Sequence, residues 1–339
     1  MRILLLGGTG LISAGITRQL LDRGGYDIFH FNRGQRSTEF EGQVTTLTGD
    51  RYDHAAFEAR MAELGTFDAV IDMIGYSPED INSLLRAFGG RTGHLIFCST
   101  VDVYAHPAST YPITETEPFG PTAWDYSRKK AECERILWDR YERERHPFTV
   151  LRPVHTYGDY GAVLHTFGGD TYHLDRLAKG KPIIVHGDGR SLWSSVHRDD
   201  CATAFVNAIG NPKAFGRSYH LPGDECITWE QYHRIVAEAI GAPEPEIVRI
   251  PTDLLYELDK RAFITLVNFS YNNSFDPSAA KADLGYTYRT TVAEGMRRVH
   301  ENLAAAGKIR NSDEVPEDDR LIAAWRRMTA SLKAEFATG

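Results

Sequence analysis

The sequence predicts a doubly wound α/β fold, built on a parallel sheet and followed by a smaller C-terminal α/β domain. Two observations support this prediction. Over the first 160 residues, short apolar segments alternate with segments of helical periodicity, which is the pattern of βαβ units. A glycine-rich turn also follows the first apolar segment directly, at the place where such folds pass from strand to helix.

Apolar runs and helix-ending signals define the individual elements. Residues 2–6 are almost wholly apolar, as in a buried strand, and Gly24 ends the helix expected at 11–23. Pro78 suits the first turn of a helix at 78–88. On the same criteria, further helices are expected at 55–64 and 124–144, and further strands at 27–31, 44–47, 69–74, 94–98 and 148–152.

The pattern changes after residue 160, which predicts a domain boundary there. Residues 1–160 are interpreted as a dinucleotide-binding domain that the segment 196–221 rejoins, and residues 161–339 as a substrate domain with a helical extension. Within the substrate domain, elements are expected at 174–180, 182–186 and 227–240.

The C-terminal extension is helical and charged from about residue 292. Residues 311–319 are polar and predict a loop between two helices. The spacing of Trp325 and Leu332 predicts an amphipathic helix that packs on the rest of the domain through both side chains.

Composition excludes several classes of protein. The hydrophobic content of 42% and charged content of 25% are those of a folded globular chain. The net charge of −8 disfavours a nucleic-acid-binding protein, which needs a basic surface. The four cysteines lack CxxC spacing and the 13 histidines lack HExxH spacing, so no metal site is expected. Since no long apolar segment or signal peptide is visible, we expect a cytoplasmic protein that does not enter the membrane.

The glycine turn predicts a site for a dinucleotide. Its sequence runs from Gly7 through Thr9, Gly10, Leu11 and Ile12 to Ser13, in the pattern GxxGxxS. Glycine permits a close backbone approach, and the start of the following helix offers free amides to a pyrophosphate. A serine stands at the third small position, where glycine or alanine is usual.

The choice between NAD and NADP depends on the residues after the second strand. The acidic residue that binds an NAD ribose is absent, and Asn32, Arg33 and Arg36 occupy this segment. The two arginines favour a 2′-phosphate and therefore NADP, whereas Asn32 permits NAD. Asp50 and Arg51, after the third strand, are placed to border an adenine ring.

A tyrosine and a lysine one helical turn apart predict proton-transfer chemistry. Tyr126 and Lys130 begin the helix that follows the fifth strand, and Thr100 lies at the end of that strand. A lysine cation and an oxidised nicotinamide favour the tyrosine phenolate, which then takes a proton from a substrate hydroxyl while hydride leaves. Thr100 is expected to hold the substrate oxygen.

Five segments in order resemble the extended short-chain dehydrogenase/reductases of the NAD-dependent epimerase/dehydratase family, which have a Rossmann fold. The segments are residues 7–13, 99–104, 126–130, 152–158 and 196–200. The resemblance implies that Thr100, Tyr126 and Lys130 are catalytic and that Lys130 also binds the nicotinamide ribose. It further implies that Pro153 and His155 border the nicotinamide.

The same resemblance implies a substrate site and shows two departures. The substrate-binding residues are expected to be Thr100, Asp102, Tyr157, Arg190 and Trp193. The sugar-nucleotide dehydratases carry an Asp-Glu pair where this chain has Val101 and Asp102. Trp193 stands where many relatives place a diphosphate-binding arginine, for which Arg190 is a possible substitute.

The sequence therefore predicts an NAD(P)-dependent epimerase or oxidoreductase, acting on a secondary hydroxyl of a sugar or nucleotide-sugar-like substrate. Two alternatives stay open. One is a non-catalytic dinucleotide-binding regulator or RNA-binding relative, and the other is a dehydratase with Asp102 as its acid. The partners expected are a small molecule and, by resemblance, a second copy of the chain paired through helices 78–88 and 124–144. No nucleic acid is expected.

Overall fold

The computed structural model describes residues 1–36, 38–161 and 163–337, and the chain divides into two compact units. The first unit comprises Met1–Thr156, Ser194–Asp224 and Ser274–Arg289, and the second comprises Tyr157–Trp193, Glu225–Asn273 and Thr290–Gly339. Ser274–Arg289 thus lies in the first unit, although the sequence predicted it in the second domain. No helix among the described residues has the length and apolar character that crossing a membrane requires.

Strands and helices alternate along the first part of the chain. The strands are β1 (Arg2–Leu6), β2 (Asp27–Asn32), β3 (Thr45–Thr48), β4 (Ala69–Asp72), β5 (Leu95–Cys98), β6 (Phe148–Pro153), β7 (His155–Tyr157), β8 (Leu164–His165), β9 (Gly168–Gly169), β10 (Ile183–His186), β11 (Leu192–His197), β12 (Arg217–Leu221), β13 (Cys226–Thr228) and β14 (Ile247–Ile250). The α-helices are α1 (Leu11–Arg23), α2 (His54–Glu63), α3 (Pro78–Phe88), α4 (Asp125–Glu144), α5 (Tyr172–Ala178), α6 (Arg198–Ala208), α7 (Trp229–Ala239), α8 (Thr252–Leu258), α9 (Ser278–Leu284), α10 (Val292–Ala305) and α11 (Pro316–Phe336).

The first unit is built on a seven-stranded sheet in the order β12-β6-β5-β4-β1-β2-β3, and every pairing in it is parallel. This confirms the doubly wound Rossmann-type fold. The strand order reverses at β1, whose neighbours β4 and β2 lead outward in opposite directions. Ligands of such sheets bind at the carboxyl ends of the strands beside this reversal.

Both faces of this sheet are buried. Ile3 and Leu5 of β1 belong to one apolar core, and Leu4 and Leu6 belong to another, as alternation along a strand requires. Helices α1, α6 and α9 contribute to the first core, and α2, α3 and α4 to the second. Fully buried parallel strands need such coverage, which explains their nearly continuous apolar sequences.

Local signals explain where several elements begin and end. Ser77 and Asp80 form a capping box at the start of α3, where Pro78 has the first helical position. Strand β4 ends at Asp72 rather than at residue 74 as predicted, because the Asp72 carboxylate accepts a hydrogen bond from the Ile74 amide at 3.0 Å. A side chain that bonds its own backbone two residues on forms a turn instead of extending the strand.

The segment 196–221, predicted to rejoin the first domain, contributes a helix and a strand to the first unit. Strand β12 extends the sheet at its β6 edge, and α6 packs on α1. Gly15 permits this approach, because a Cβ atom there would lie 3.0 Å from the Ala202 Cβ.

The second unit has a parallel pair, β10 and β14, and an aromatic core around Trp193, Trp229 and Phe269. The loop predicted at 311–319 is wrong in its second half, because α11 begins at Pro316, a residue suited to a first helical turn. Trp325 packs against Ile322 and its neighbours, but Leu332 is 48% exposed, so only the first half of the predicted amphipathic face is covered.

Candidate active site

The glycine turn joins β1 to α1 at the point where the strand order reverses. Gly7 has φ of +85°, and its carbonyl accepts hydrogen bonds from the Gly10 amide at 3.1 Å and the Ser13 hydroxyl at 2.8 Å. The serine that departs from the usual small residue thus closes the turn onto its own helix. No side chain in the described part of the chain caps α1 at Gly10, which leaves the first amides of the helix to a ligand.

Close backbone packing explains the second glycine. A Cβ atom on Gly8 would lie 2.3 Å from the His30 ring, and one on Gly7 would lie 2.5 Å from Ile74. The His30 ring is fixed by a 2.9 Å hydrogen bond between its Nε2 and the Thr17 hydroxyl, and burial lowers its pKa to about 4. The ring is therefore neutral at physiological pH. This tight cradle and the open helix amides fit the pyrophosphate of a dinucleotide.

A cavity of about 280 Å³, which we call the glycine-turn cavity, extends from the turn toward β2 and β3. The cofactor residues predicted from sequence that line it are Gly7, Thr9, Gly10, Asn32, Arg33, Arg36, Asp50 and Arg51. The side-chain oxygen of Asn32 is buried and has no hydrogen-bond partner. A ribose hydroxyl is the kind of donor that would satisfy this oxygen.

Arg51 has a structural role besides lining this cavity. Its side chain is 1% exposed, and it donates to the Asp80 carbonyl at 2.5 Å and lies 3.6 Å from the Asp72 carboxylate. Its guanidinium also covers the Phe57 ring at 4.2 Å. Arg51 therefore links the segment after β3 to the ends of β4 and α3, which a surface turn would not do.

A second cavity of about 590 Å³, the Tyr–Lys cavity, shares Gly7, Gly10, Ile74 and Tyr76 with the first. The two cavities therefore form a continuous cleft in the first unit. The remaining predicted residues that line the Tyr–Lys cavity are Leu11, Ile12, Thr100, Asp102, Tyr126, Lys130, Pro153 and His155. The His155 Nδ1 lies 3.1 Å from the Ser195 hydroxyl, which orients its ring.

Thr100, Asp102 and Tyr126 line this cavity together. The Thr100 hydroxyl donates to the Asp102 carboxylate at 2.8 Å and accepts from the Asp102 amide at 3.2 Å. Burial raises the pKa of Tyr126 above 10.0, and the Asp102 charge raises it further. In the protein alone an uncharged phenol is favoured beside a carboxylate in a buried site, and the phenolate expected with oxidised nicotinamide stays a prediction.

Lys130 is held by backbone carbonyls. Its side chain is 1% exposed, and its ammonium donates to the Gly75 carbonyl at 2.8 Å and the Cys98 carbonyl at 2.7 Å. The rings of Tyr76 and Phe97 lie 4.7 Å and 4.6 Å from the ammonium. Burial lowers the pKa of Lys130, since removing an ammonium from water costs free energy. An ammonium has three donors, and the third is directed to neither of these carbonyls.

A buried ion pair joins the segments that carry Thr100 and Tyr126. Glu134 of α4 and Arg152 of β6 are 0% and 2% exposed and pair at 2.5 Å. Glu134 also accepts from the Ser99 hydroxyl at 2.5 Å, next to Thr100 in the chain. Arg152 in turn donates to the hydroxyl of Tyr104, which follows the Thr100 segment. The pair thus connects the helix that carries Tyr126 to the loop that carries Thr100.

Three residues predicted to bind substrate do not line the cleft. Tyr157 is 0% exposed, packs against Gly295 and donates to the Thr291 carbonyl at 3.4 Å within the second unit. Trp193 lies in the aromatic core of that unit, 4.9 Å from the Trp229 ring. Arg190 is exposed in the turn after β10. Large aromatic side chains in an apolar core explain the first two positions.

The structure adds cleft residues that sequence reasoning missed. Tyr52 lines the glycine-turn cavity, Trp124 and Thr156 line the Tyr–Lys cavity, and Tyr76 lines both. Tyr76 follows β4 at the edge where ligands of parallel sheets bind, so its position was a usable signal. Trp124 directly precedes the helix that carries Tyr126, but it is not part of the Tyr–Lys motif and so gave no signal.

Comparison with known proteins identifies the family. The profile described as the NAD dependent epimerase/dehydratase family matches residues 3–221, which is more than half of the chain. The chain belongs to this family. The resemblance inferred from the five sequence segments is thereby confirmed, and membership indicates an NAD-dependent enzyme of the epimerase, dehydratase and reductase type.

Relatives with different names have similar sequence identities to this chain. The chain is 28% identical over 337 residues to the "Chloroplast stem-loop binding protein of 41 kDa b, chloroplastic" of Arabidopsis thaliana, covering 95% of this chain and 84% of that one. It is 25% identical to the 2'-dehydrokanamycin reductase of Streptomyces kanamyceticus, covering 72% and 68%. The chain is also similar in structure to UDP-glucose 4-epimerase from Bifidobacterium longum, solved in complex with NAD+ and UDP. The TM-score is 0.69 at 20% identity, and the match covers 91% of this chain and 100% of that one. At this identity the similarity supports the fold alone.

Proposed function

We propose that the chain is an NAD(P)-dependent oxidoreductase that transfers hydride at a secondary alcohol or ketone of a sugar-like substrate. The observation that carries the proposal is the continuous cleft of the first unit. One end has the glycine turn with open helix amides, and the other has Thr100, Tyr126 and Lys130 around a single cavity. A binding protein without chemistry would not need the second group.

Tyr126 is the acid when a ketone is reduced. Because its pKa is raised, it keeps its proton at neutral pH and can donate this proton to the substrate oxygen as negative charge develops there. Bound nicotinamide supplies the hydride for reduction, or accepts it in the reverse direction. The Thr100 hydroxyl gives its one proton to Asp102 at 2.8 Å, so it can accept from the hydroxyl of an alcohol substrate but must turn away from Asp102 to donate to a ketone oxygen.

Lys130 positions the ribose and offsets charge. Its two bonds to carbonyls fix the ammonium, and the remaining donor is available to a ribose hydroxyl. When Tyr126 gives up its proton, the fixed cation stabilises the phenolate that is left. The carbonyls of Gly75 and Cys98 therefore determine where the ribose is held.

Asp102 fits an orienting role better than that of a dehydratase acid. Elimination of water needs one group to protonate the leaving hydroxyl and another to remove a proton. Asp102 already accepts from Thr100, and its neighbour Val101 is apolar and 4% exposed. We therefore place net oxidation or reduction, or epimerisation by the same groups, ahead of dehydration.

We infer NADP as the preferred cofactor. Arg33 and Arg36 are exposed and line the glycine-turn cavity beside Asn32. Arginine matches phosphate geometry well. Replacing both with alanine is expected to lower the affinity for NADP by about tenfold or more while leaving that for NAD nearly unchanged. Equal loss for both cofactors would contradict the preference.

A second candidate function has one supporting observation, the 28% identity over 95% of the chain to a relative named as a stem-loop binding protein. The net charge of −8 disfavours it, since phosphate backbones attract basic surfaces. Titration of a labelled RNA hairpin at moderate salt tests it. Saturable binding with a strong salt dependence would support this candidate.

The deciding experiment identifies the nucleotide that the protein carries. The purified protein is denatured, and the released nucleotide is measured by mass spectrometry together with hydride transfer at the nicotinamide absorbance band. Near-stoichiometric NAD would favour an epimerase-type cycle and overturn the NADP preference. An empty protein that binds NADPH and consumes it with carbonyl substrates would support a reductase. Failure to bind either nucleotide would overturn the proposed function.

A further inference from the structure

The Tyr–Lys cavity is lined by two unlike kinds of side chain. Three are aromatic: the Trp124 ring lies 5.1 Å from the Tyr126 ring, and the Tyr76 ring lies 6.3 Å from it. The polar side chains that line the same cavity include Thr100, Asp102 and Thr156. An aromatic face beside hydroxyl and carboxylate groups is complementary to a molecule with an apolar C–H face and a hydroxyl-bearing edge.

Trp124 reaches the cavity because it stands just outside the helix. Two residues separated by one position on a helix do not share a face, so Trp124 and Tyr126 could not both line the cavity if both were helical. Trp124 has extended dihedrals, φ −86° and ψ 110°, and immediately precedes α4. Its amide donates to the Thr122 hydroxyl at 3.1 Å, and its carbonyl accepts from the Arg128 amide at 3.1 Å. These two hydrogen bonds therefore fix the backbone of Trp124, and with it the position of the Cβ atom from which the indole extends.

We propose that Trp124 determines specificity by stacking on the C–H face of a saturated hydroxylated ring, a cyclic sugar or a cyclitol, that lies beside Tyr126. This inference rests on the proposed function and adds to it the shape of the reacting part of the substrate. The hydroxyls of such a ring would meet Thr100, Asp102 and Thr156, which line the same cavity, while Tyr126 reaches the reacting oxygen.

Charge disfavours an acyclic oxoacid in the same place. Among the described residues that line the Tyr–Lys cavity, Lys130 is the single lysine or arginine, and two backbone carbonyls already hold it. Asp102 adds a carboxylate to the wall and repels a substrate carboxylate. An uncharged ring with hydroxyls meets neither obstacle.

The test compares substitutions at two tryptophans that are close in the sequence, Trp124 and Trp138. Trp138 lies on α4, 4.8 Å from the Phe148 ring and outside both cavities, so Trp138→Leu is the control for Trp124→Leu. Binding to the protein, with and without added NADP, is measured by saturation-transfer NMR and calorimetry with four probes. These are methyl β-glucopyranoside, myo-inositol, the acyclic polyol glucitol, and acetoacetate.

The ring probes are expected to bind the unmodified protein more tightly than glucitol or acetoacetate. Trp124→Leu should weaken ring binding about tenfold, Trp124→Phe should retain most of it, and Trp138→Leu should not change it. Rings that bind no better than glucitol, or equal binding in Trp124→Leu and Trp138→Leu, would overturn the inference. Nucleotide retention by each variant shows that the first unit is folded.

The readouts separate this inference from the function on which it rests. If hydride transfer occurs but favours acyclic substrates, the role of Trp124 is wrong and the oxidoreductase stands. If no nucleotide binds and rings still bind through Trp124, the oxidoreductase is wrong and the stacking site stands. For a ring that is turned over, Trp124→Leu should raise KM more than it lowers kcat, because stacking is present before the reaction begins.

Discussion

The two ends of the cleft are built in different ways. The glycine-turn cavity is formed around backbone that approaches closely, where an added Cβ atom at Gly8 would meet the His30 ring at 2.3 Å. The Tyr–Lys cavity is formed by side chains that a buried ion pair, Glu134 with Arg152, holds in place. One end is therefore sensitive to atoms that are added, and the other to atoms or charges that are removed.

The largest expected effect is at the Tyr–Lys end. Tyr126→Phe removes the proton donor and keeps the ring, so kcat should fall by roughly 10²- to 10⁴-fold. Nucleotide affinity should stay within about twofold, because the glycine-turn cavity is untouched. Steady-state kinetics and calorimetry with NADP and NAD measure the two quantities. A variant that keeps near-normal kcat would exclude Tyr126 as the acid.

The next effect concerns the support beneath that end. Glu134→Gln leaves the Arg152 charge buried without its partner, which should cost about 3–5 kcal/mol in the free energy of unfolding. The matched control is Glu132→Gln on the same helix. Its pair with Arg128 at 3.1 Å is exposed to water and should cost below about 1 kcal/mol. Urea denaturation compares them, and equal losses would mean that the buried pair gives no special support.

A smaller effect is expected where an atom is added at the other end. Gly8→Ala forces the His30 ring to move and should cost about 1–3 kcal/mol in stability, with weaker nucleotide binding. Gly169→Ala is the control, because its nearest contact would be an ordinary 3.6 Å. Thermal unfolding with and without NADP gives both quantities. Gly8→Ala with unchanged affinity would mean that the cradle tolerates a methyl group.

The difference between the ends also explains what the sequence could predict. Glycines and strand–helix alternation follow from local backbone requirements, so the sheet, α1 and α3 were predicted with nearly correct bounds. The motif residues Thr100, Tyr126 and Lys130 could be proposed because their spacing and their position on elements are also local. That these three residues line one cavity depends on the fold, which brings them together.

Long-range packing accounts for the misses. Trp193 and Tyr157 had the residue types of a ligand site, but the second unit needed large aromatic groups in its core. Tyr76 and Trp124 reach the cleft through loop geometry that periodicity does not report. The raised pKa of Tyr126 in the protein alone depends on burial and on Asp102, which motif spacing cannot reveal.

The smallest expected effect is the change in the rate of ketone reduction with pH, which shows whether Lys130 or Tyr126 titrates. Burial lowers the pKa of Lys130 below 10.5, whereas that of Tyr126 is raised above 10.0. The opposite directions of the two shifts lead us to expect that Lys130 loses its proton before Tyr126 as pH rises, and that ketone reduction declines with a midpoint below pH 10.5. The decline is at most about tenfold per pH unit, since one proton is lost.

The residual activity of Tyr126→Phe identifies the group responsible. Because phenylalanine cannot titrate, a decline caused by Lys130 persists in the variant with the same midpoint. A decline that disappears in Tyr126→Phe would assign it to the tyrosine and would mean that the bound nicotinamide reverses the order of the two pKa values. Circular dichroism over the same pH range excludes unfolding as the cause. The experiment thereby tests whether the buried carbonyls of Gly75 and Cys98 hold an ammonium during the reaction.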